Sequence, residues 1–560
     1  MPISRITTLG LTFFTLSWLA YDHYRPWVNF HAELLAFIGL FGLIAGVLRA
    51  QRQALAMPRL GIWLSLVVLL PWLQFASGLT FFAGDALLSS LYLFGLLAAM
   101  VVGYTFARSG QGQAANGLTA LMHTLWVAAM VSGAIGLAQW LNIDDRLGMV
   151  VVQSDLGDRA MGNLGQANQL ATLLLMGMAA YAYVFERRVI GRLAFAMGIG
   201  FMTSVLILTQ SRAGMLSVLV VTAYAMWKKK SVQSRLSGQA LVLWVLLFAL
   251  GTLLLSPLSE YLQHGNVRNL RETDTIHQRV IMLQQMAHAI AQAPWLGYGW
   301  NQTPSAQAAG AIAYPGSVPY TYAHNFAMDM LAWNGLPLGL LLTGAIAYWF
   351  VTRLLASRRP DAIHAMACLL PVAVHSLLEY PFAYAYFLIS AGLMVGVIEA
   401  ARIPVTAIAL NVRWVWAMWA AWALTGIYLT YEYFLIEEDF RVVRFENLNI
   451  GQRPAAYEIP DVWMMSHMSA MLKARRVAIE PHMQAGDLEN LRQVSTRFAD
   501  NVPHCRYALA LALNNNTQGA EHEFALIKGI YGSAYQRLCQ SELRRLQKEK
   551  SPQFASPMTP

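Results

Sequence analysis

The stretch YTYAHNFAMDMLAWNGLPLGL, Tyr320–Leu340, decides how the rest of the chain is read. Its second half opens an apolar run that continues to about residue 354, roughly the 20 residues a helix needs to cross a hydrocarbon core. Its first half places His324 and Asn325 just ahead of that run. An imidazole at such a boundary is either an ordinary interfacial residue or a proton-handling group, and the remainder of the chain has to decide between them.

Similar runs recur along the 560 residues, which are 57% hydrophobic and 12% charged. A soluble chain carries about 25% charged residues, so this is an integral membrane protein. Apolar cores fall near 6–21, 34–49, 60–80, 88–107, 117–140, 168–185, 193–210, 213–227, 239–257, 335–354, 363–380, 383–400 and 412–434. They have helical length rather than the ten-residue alternation of a membrane strand, which argues against a β-barrel. The expected fold class is an all-α polytopic membrane protein with about 13 transmembrane helices. The first run, Ile6–Ala20, lacks a small-residue cleavage site and reads as an anchor.

The net charge of +9 does not point to nucleic acid, because the basic residues lie between the apolar runs. They follow the rule that Lys and Arg collect in cytoplasmic loops. With a cytoplasmic N-terminus, one set of alternate loops holds Arg49/Arg52/Arg59, Arg108, Arg187/Arg188/Arg192, Lys228/Lys229/Lys230/Arg235, Arg353/Arg358/Arg359 and Arg402/Arg413. The opposite loops hold Asp22, Asp85, Asp144/Asp145 and Asp155/Asp158. Two polar segments then fall on the outer side. One is a large loop, 259–334, with an amphipathic stretch HQRVIMLQQMAHAIAQAPWLGYGWN (His277–Asn301) ending at a Pro/Gly turn. The other is the tail, 437–560, which reads as short helices in antiparallel, TPR-like pairs following a membrane domain 1–436. Of the three cysteines, Cys505 and Cys539 sit in this tail; they either pair in an oxidising periplasm or remain two buried thiols. No Cys/His cluster has zinc spacing and no GxxxxGK[ST] loop is present, so neither a structural zinc nor an ATP-driven engine is expected.

Polar groups at membrane depth invite a functional reading. Arg212, in TQSRAG (Thr209–Gly214), turns on the outer face against the positive-inside trend. It is either a snorkelling anchor or an anion clamp whose rigid fork suits phosphate. Arg279, preceded by Arg268 and Arg271, is either a solvated helix charge or a second phosphate contact. His324, beside Asn325, titrates near neutrality and can take a proton from an attacking hydroxyl. Asp329 is five residues on, and spacing alone does not make it an orienting partner. In HSLLEYPFAYAYF (His375–Phe387), His375 and Glu379 are expected to share a helix face, either as a capping pair or as a substrate contact. In RAMGNLGQANQLA (Arg159–Ala171), Gln166, Asn168 and Gln169 offer amides for a sugar or for helix capping.

The order SRAG, then R-x(15)-W-L-G-Y-G, then A-H-N-x(9)-G-L-P-L-G resembles the O-antigen ligase superfamily. RPWVNFHAE (Arg25–Glu33) and the extra tail resemble its PglL-type branch of bacterial protein O-oligosaccharyltransferases. The resemblance spans nearly the whole chain. It implies an enzyme without cofactor or metal that moves an oligosaccharide en bloc from undecaprenyl pyrophosphate to Ser or Thr of a periplasmic or pilin-like protein. The site would lie at the outer face of the inner membrane. It further implies His324 as the essential histidine and Arg212 and Arg279 as phosphate ligands. Gln166 and Tyr380 take the branch's polar and tyrosine positions, for which Gln169 and Tyr384 compete; His375, Glu379 and Asn325 support. The rival readings are a lipid A-core O-antigen ligase, a Wzy-type polymerase and, from another class, a lipid-glycan flippase. The tail and RPWVNFHAE speak against the first two. The outer-face clustering of the polar residues speaks against a transporter, whose sites sit near mid-span.

Overall fold

Each expected apolar core lies on a helix in the computed structural model, which describes residues 4–51, 53–108, 115–155, 159–232, 234–262, 273–316, 318–402, 407–448, 450–451 and 457–550. Arg52, Asp158, Arg268 and Arg271 lie outside the described residues. Six of the described helices are long and apolar enough to cross a membrane: Phe30–Ala50, Ala83–Arg108, Gly117–Trp140, Ala167–Glu186, Gly238–Tyr261 and Phe326–Ala356. Leu60–Ala76, Arg192–Leu208 and Ala385–Ala400 are shorter apolar helices. The all-α expectation has one exception. Ala54–Pro58 and Ala407–Asn411 form a two-stranded antiparallel ribbon with Ala56 opposite Ala409.

The chain divides into two compact units, one of residues 1–68, 91–270 and 347–427, the other of 69–90, 271–346 and 428–560. In the first, Ala167–Glu186 is the central helix. It is apolar on all sides and buried along nearly its full length, as a helix enclosed by others must be. The basic loop residues do structural work here. Lys228 donates to the carbonyls of Leu355 (2.8 Å) and Ser357 (3.0 Å), satisfying groups left open where the helix Phe326–Ala356 stops. Arg353 pairs with Glu399 at 2.6 Å, and Arg187 with Asp361 at 2.6 Å.

The second unit joins the outer loop to the tail. The tail is a run of five helices, Ser466–Arg476, Ala485–Arg497, Asn501–Leu513, Thr517–Tyr531 and Ser533–Lys550. The Cys505–Cys539 disulfide ties the third to the fifth, with Cα atoms 5.8 Å apart. The loop helix Thr303–Ala311 buries Ala311 against Leu526 and Ile530 of the tail. Arg497 forks onto Asp85 with bonds of 2.9 and 2.7 Å, both side chains buried. Glu432, in the second half of the helix Val412–Asn447, accepts the backbone N–H groups of Trp463 and Met465 at 3.0 and 2.9 Å. Asp439 receives a bidentate Arg476 at 2.6 and 2.7 Å. Buried carboxylates that are this fully paired hold their neighbours in place, because losing one partner strands the other charge.

Candidate active site

The candidate residues fall in both units. In the second unit the site is built around the strap that carries His324. Here Gln307 is the organiser. Its side-chain oxygen accepts from Tyr320 N–H (2.8 Å), and its amide donates to Val318 O (2.8 Å) and to Gln285 (3.1 Å). Gln285 in turn donates to Tyr314 O at 2.6 Å. This buried amide chain fixes the strap 318–323 on the helix Thr273–Gln292.

His324 is half-buried and sits at φ 50°, in the left-handed region that costs an L-residue about 1–2 kcal/mol. Asn325 follows as the cap of Phe326–Ala356, its Oδ1 accepting Met328 N–H at 3.1 Å. The fully buried Asp329 reaches back one turn. Its Oδ1 accepts the N–H of Ala323 (2.9 Å) and the hydroxyl of Thr303 (2.7 Å), and Trp333 donates to the same hydroxyl at 2.8 Å. Asp329 thus fastens the residue immediately before His324 through its N–H. Spacing could not reveal this, because the contact runs through a backbone N–H rather than to the imidazole.

Tyr320 links two of the expected residues. Its ring meets the His324 ring edge-on at 5.9 Å, and its hydroxyl donates to Gln278 O (3.3 Å), one residue from Arg279. Burial raises the Tyr320 phenol, and the positive charge of Arg279 opposes that rise. Arg279 and His324, 45 positions apart by their numbers, are therefore neighbours of one side chain that the sequence did not single out.

The sharp end of the strap is locked by the W-L-G-Y-G and G-L-P-L-G motifs. The helix from Phe326 kinks at Gly335, φ 70°, where an added Cβ would meet the Trp295 backbone at 2.5 Å. Leu336 N–H donates to Pro294 O (2.7 Å) and Tyr298 N–H to Ala332 O (2.9 Å). Gln74 closes the set, accepting Trp300 N–H at 2.7 Å and donating to Trp333 O and Asn334. The expected span 335–354 consequently begins earlier, as a helix from Phe326, because the kink lets it turn rather than end.

In the first unit, Arg212 starts the helix Arg212–Val232, and Ser211 caps that helix by accepting Gly214 N–H at 3.0 Å. Two guanidinium nitrogens of Arg212, Nε and Nη2, are enclosed with no hydrogen-bond partner among the described residues. A snorkelling anchor would point its donors to water, whereas enclosed unspent donors invite an anion. The turn before Arg212 is held by the Arg159–Ala171 stretch. Arg159 donates to Thr209 O (2.6 Å), and Asn168 accepts from Arg159 (3.2 Å) and Ser211 (2.8 Å).

Gln166 is the half-buried residue before Ala167–Glu186 and makes no side-chain cap bond. Gln169 is buried and accepts the Tyr386 hydroxyl at 2.7 Å, so of the two glutamines it is the one spent on structure. Tyr380 and Tyr384 stack at 5.9 Å, and Tyr384 and Tyr386 at 5.6 Å, forming a ladder that ends on Gln169. His375 is buried, with Nδ1 2.8 Å from the Thr172 hydroxyl. His375 and Glu379 do not share a helix face as expected. The helix ends at Ser376, and Glu379 donates its backbone N–H to His375 O at 2.8 Å in the turn leading to Pro381. Proline excludes the preceding residue from helical geometry, which ends the helix short of it. In RPWVNFHAE, Glu33 accepts from Trp27 Nε1 (2.9 Å) and from the Tyr92 hydroxyl, so the motif is tied into the first unit by a buried carboxylate.

Comparison with known proteins agrees with these motifs. A family model described as O-Antigen ligase matches residues 197–343, which include Arg212, Arg279 and His324. One described as Protein glycosylation ligase matches 160–185, which includes Gln166. One described as Virulence factor membrane-bound polymerase, C-terminal, matches 363–545. The chain is 29% identical over 549 residues to the general O-oligosaccharyltransferase of Acinetobacter baylyi, covering 96% of this chain and 94% of that protein. It is 26% identical over 377 residues to the ComP-specific O-oligosaccharyltransferase of the same organism, covering 67% of each. Motifs and full-length similarity together make the chain similar to the PglL-type bacterial protein O-oligosaccharyltransferases, within the O-antigen ligase superfamily.

Proposed function

We propose that this chain is a protein O-oligosaccharyltransferase that moves a glycan en bloc from undecaprenyl pyrophosphate to a Ser or Thr hydroxyl of a periplasmic or pilin-like protein. The observation that carries the reading is the setting of His324. It is a half-buried imidazole in a left-handed turn, braced by Asp329 behind and Tyr320 beside, with Arg279 near. The acceptor oxygen attacks the anomeric carbon as the bond to the pyrophosphate oxygen breaks. The bonding pair leaves on the lipid pyrophosphate, and the hydroxyl proton passes to the imidazole of His324. In-line attack inverts the anomeric centre. Negative charge grows on the leaving pyrophosphate, and fixed cations stabilise it most where it is largest, in the transition state. Arg212 and Arg279 are assigned to that charge, so the reaction needs no metal. Gln166 and Tyr380 are assigned to the first sugar or the acceptor, with His375 and Glu379 supporting.

About thirteen membrane crossings with a cytoplasmic N-terminus put the segment 259–334 and the tail in the periplasm, where the Cys505–Cys539 bond is at home. The membrane domain 1–436 then carries the chemistry, and 437–560 is a TPR-like helical domain. Polymerisation on the carrier lipid is the second reading, favoured by the polymerase family model at 363–545. Purified protein with lipid-pyrophosphate glycan, an acceptor protein and a chelator tests both. A glycan-sized mass shift on intact acceptor, with inverted linkage, is the expected result. Longer lipid-linked glycan and unmodified acceptor would select the polymerase.

A further inference from the structure

A cavity of about 470 Å³ opens in the second unit between the end of the helix Val412–Asn447 and three tail helices, with no residue of the His324 strap in its lining. Its charges are unequally matched. Arg475 gives one amine to Asp500, while its Nε is enclosed with no partner among the described residues, on a side chain 11% exposed. Arg506 donates only to backbone carbonyls, Ala474 O at 2.8 Å and Val477 O, and has no carboxylate partner among the described residues. Burial and then the like charge of Arg475 press its pKa down, the mark of a cation short of counter-charge. Arg444, on the exposed edge, likewise lacks an acidic partner among the described residues. Glu542, the carboxylate in the lining, is engaged with Arg545 at 2.5 Å.

Apart from Asn447, the rest of the wall is mostly apolar. Leu448, Leu509 and Tyr535 line it beside Cys505, whose disulfide to Cys539 clamps two of the walls and keeps the space formed. Free phosphate has no use for such walls, and a wholly apolar ligand would leave the guanidinium donors unspent. A carboxylate flanked by apolar side chains meets both requirements, and the volume suits a few residues of peptide.

We propose that this cavity binds an acidic side chain with apolar neighbours on the acceptor protein, holding the acceptor while another of its segments is glycosylated. The identity of the partner rests on the protein-transfer reading above; the chemistry of the pocket does not. The test uses the full-length protein in detergent micelles and the peptide acetyl-Leu-Asp-Leu-amide, titrated beside its Leu-Asn-Leu counterpart. The Asp peptide should bind at least about 10-fold more tightly, as expected of charge-assisted bonds. Arg444→Gln, at an exposed position with little risk to the fold, and Arg506→Gln should each weaken it by a similar factor. Arg537→Gln, outside the lining, should leave it unchanged. Equal binding of the two peptides, or unchanged binding in both pocket variants, overturns the proposal. So does displacement by inorganic phosphate at matching affinity, which would make this a generic anion site. In the transfer assay, Arg444→Gln should raise the acceptor KM several-fold at constant kcat; an unchanged KM also overturns it. The peptide titration requires no transfer, so it fails separately from the proposed activity.

Discussion

Replacing Asp329 probes whether the turn at His324 is built for catalysis. The carboxylate Oδ1 accepts two buried donors, Ala323 N–H at 2.9 Å and the Thr303 hydroxyl at 2.7 Å. Asp329→Ala strands both, and a buried unsatisfied donor costs about 1–3 kcal/mol, so the turn should lose about 2–6 kcal/mol. The share on Ala323 N–H bears directly on His324, whose φ of 50° is unfavourable and persists only while its neighbours hold it. A loss of about 1–3 kcal/mol there lowers the population of the productive imidazole by roughly 5- to 150-fold. Asp329→Asn keeps the accepting oxygen and replaces Oδ2, which has no hydrogen-bond partner among the described residues. It should therefore fall between wild type and Ala. Thermal unfolding in micelles and steady-state transfer kinetics measure the two effects. The expected order is wild type, Asn, Ala in both kcat and melting temperature. Wild-type kcat in Asp329→Ala would refute the reasoning, since His324 would then hold its geometry without the clamp.

Three further outcomes follow from the same geometry. Arg212→Gln should lower kcat by roughly 10²- to 10³-fold, the scale of losing one preorganised donor. Arg212→Lys should not restore it, because a point charge cannot replace a fork; product release from a lipid-pyrophosphate donor reads both. Gly335→Ala should destabilise the protein by about 2–5 kcal/mol, combining left-handed strain with a Cβ driven against the Trp295 backbone, as measured by denaturant unfolding. His467, beside Asp85 and Arg497, is pushed by burial from 6.5 to about 4. The unfolded chain then binds the extra proton between those values, so stability should fall as pH drops from 6.5 toward about 4. His467→Gln should flatten that slope in melting curves taken across this range.

The helices were legible because each apolar run has the length and composition of one, and a helix satisfies its own backbone in lipid. The ribbon of Ala54–Pro58 with Ala407–Asn411 was not legible, since five residues carry too little periodicity and the partners lie far apart in the chain. Arg212, Arg279 and His324 could be named from motifs, and their residue types explain why. What supports them could not be named. Asp329 acts through a main-chain N–H, Gln307 through three bonds to residues with no spacing rule, and Tyr320 through ring contact and charge proximity. The paired reading of His375 and Glu379 assumed that helix continued to the proline, whereas it stops at Ser376. The tail's place was equally hidden, because Ala311 meets Leu526 and Ile530 only once both helices have formed.

The central claim is that His324 takes the proton of an acceptor hydroxyl during transfer of glycan to protein. The most direct measurement is intact-mass analysis of an acceptor protein incubated with lipid-pyrophosphate glycan, chelator and either wild-type protein or His324→Ala. The account predicts a glycan-sized shift with wild type that His324→Ala abolishes while still binding the donor. A shift of equal rate in the variant would contradict it.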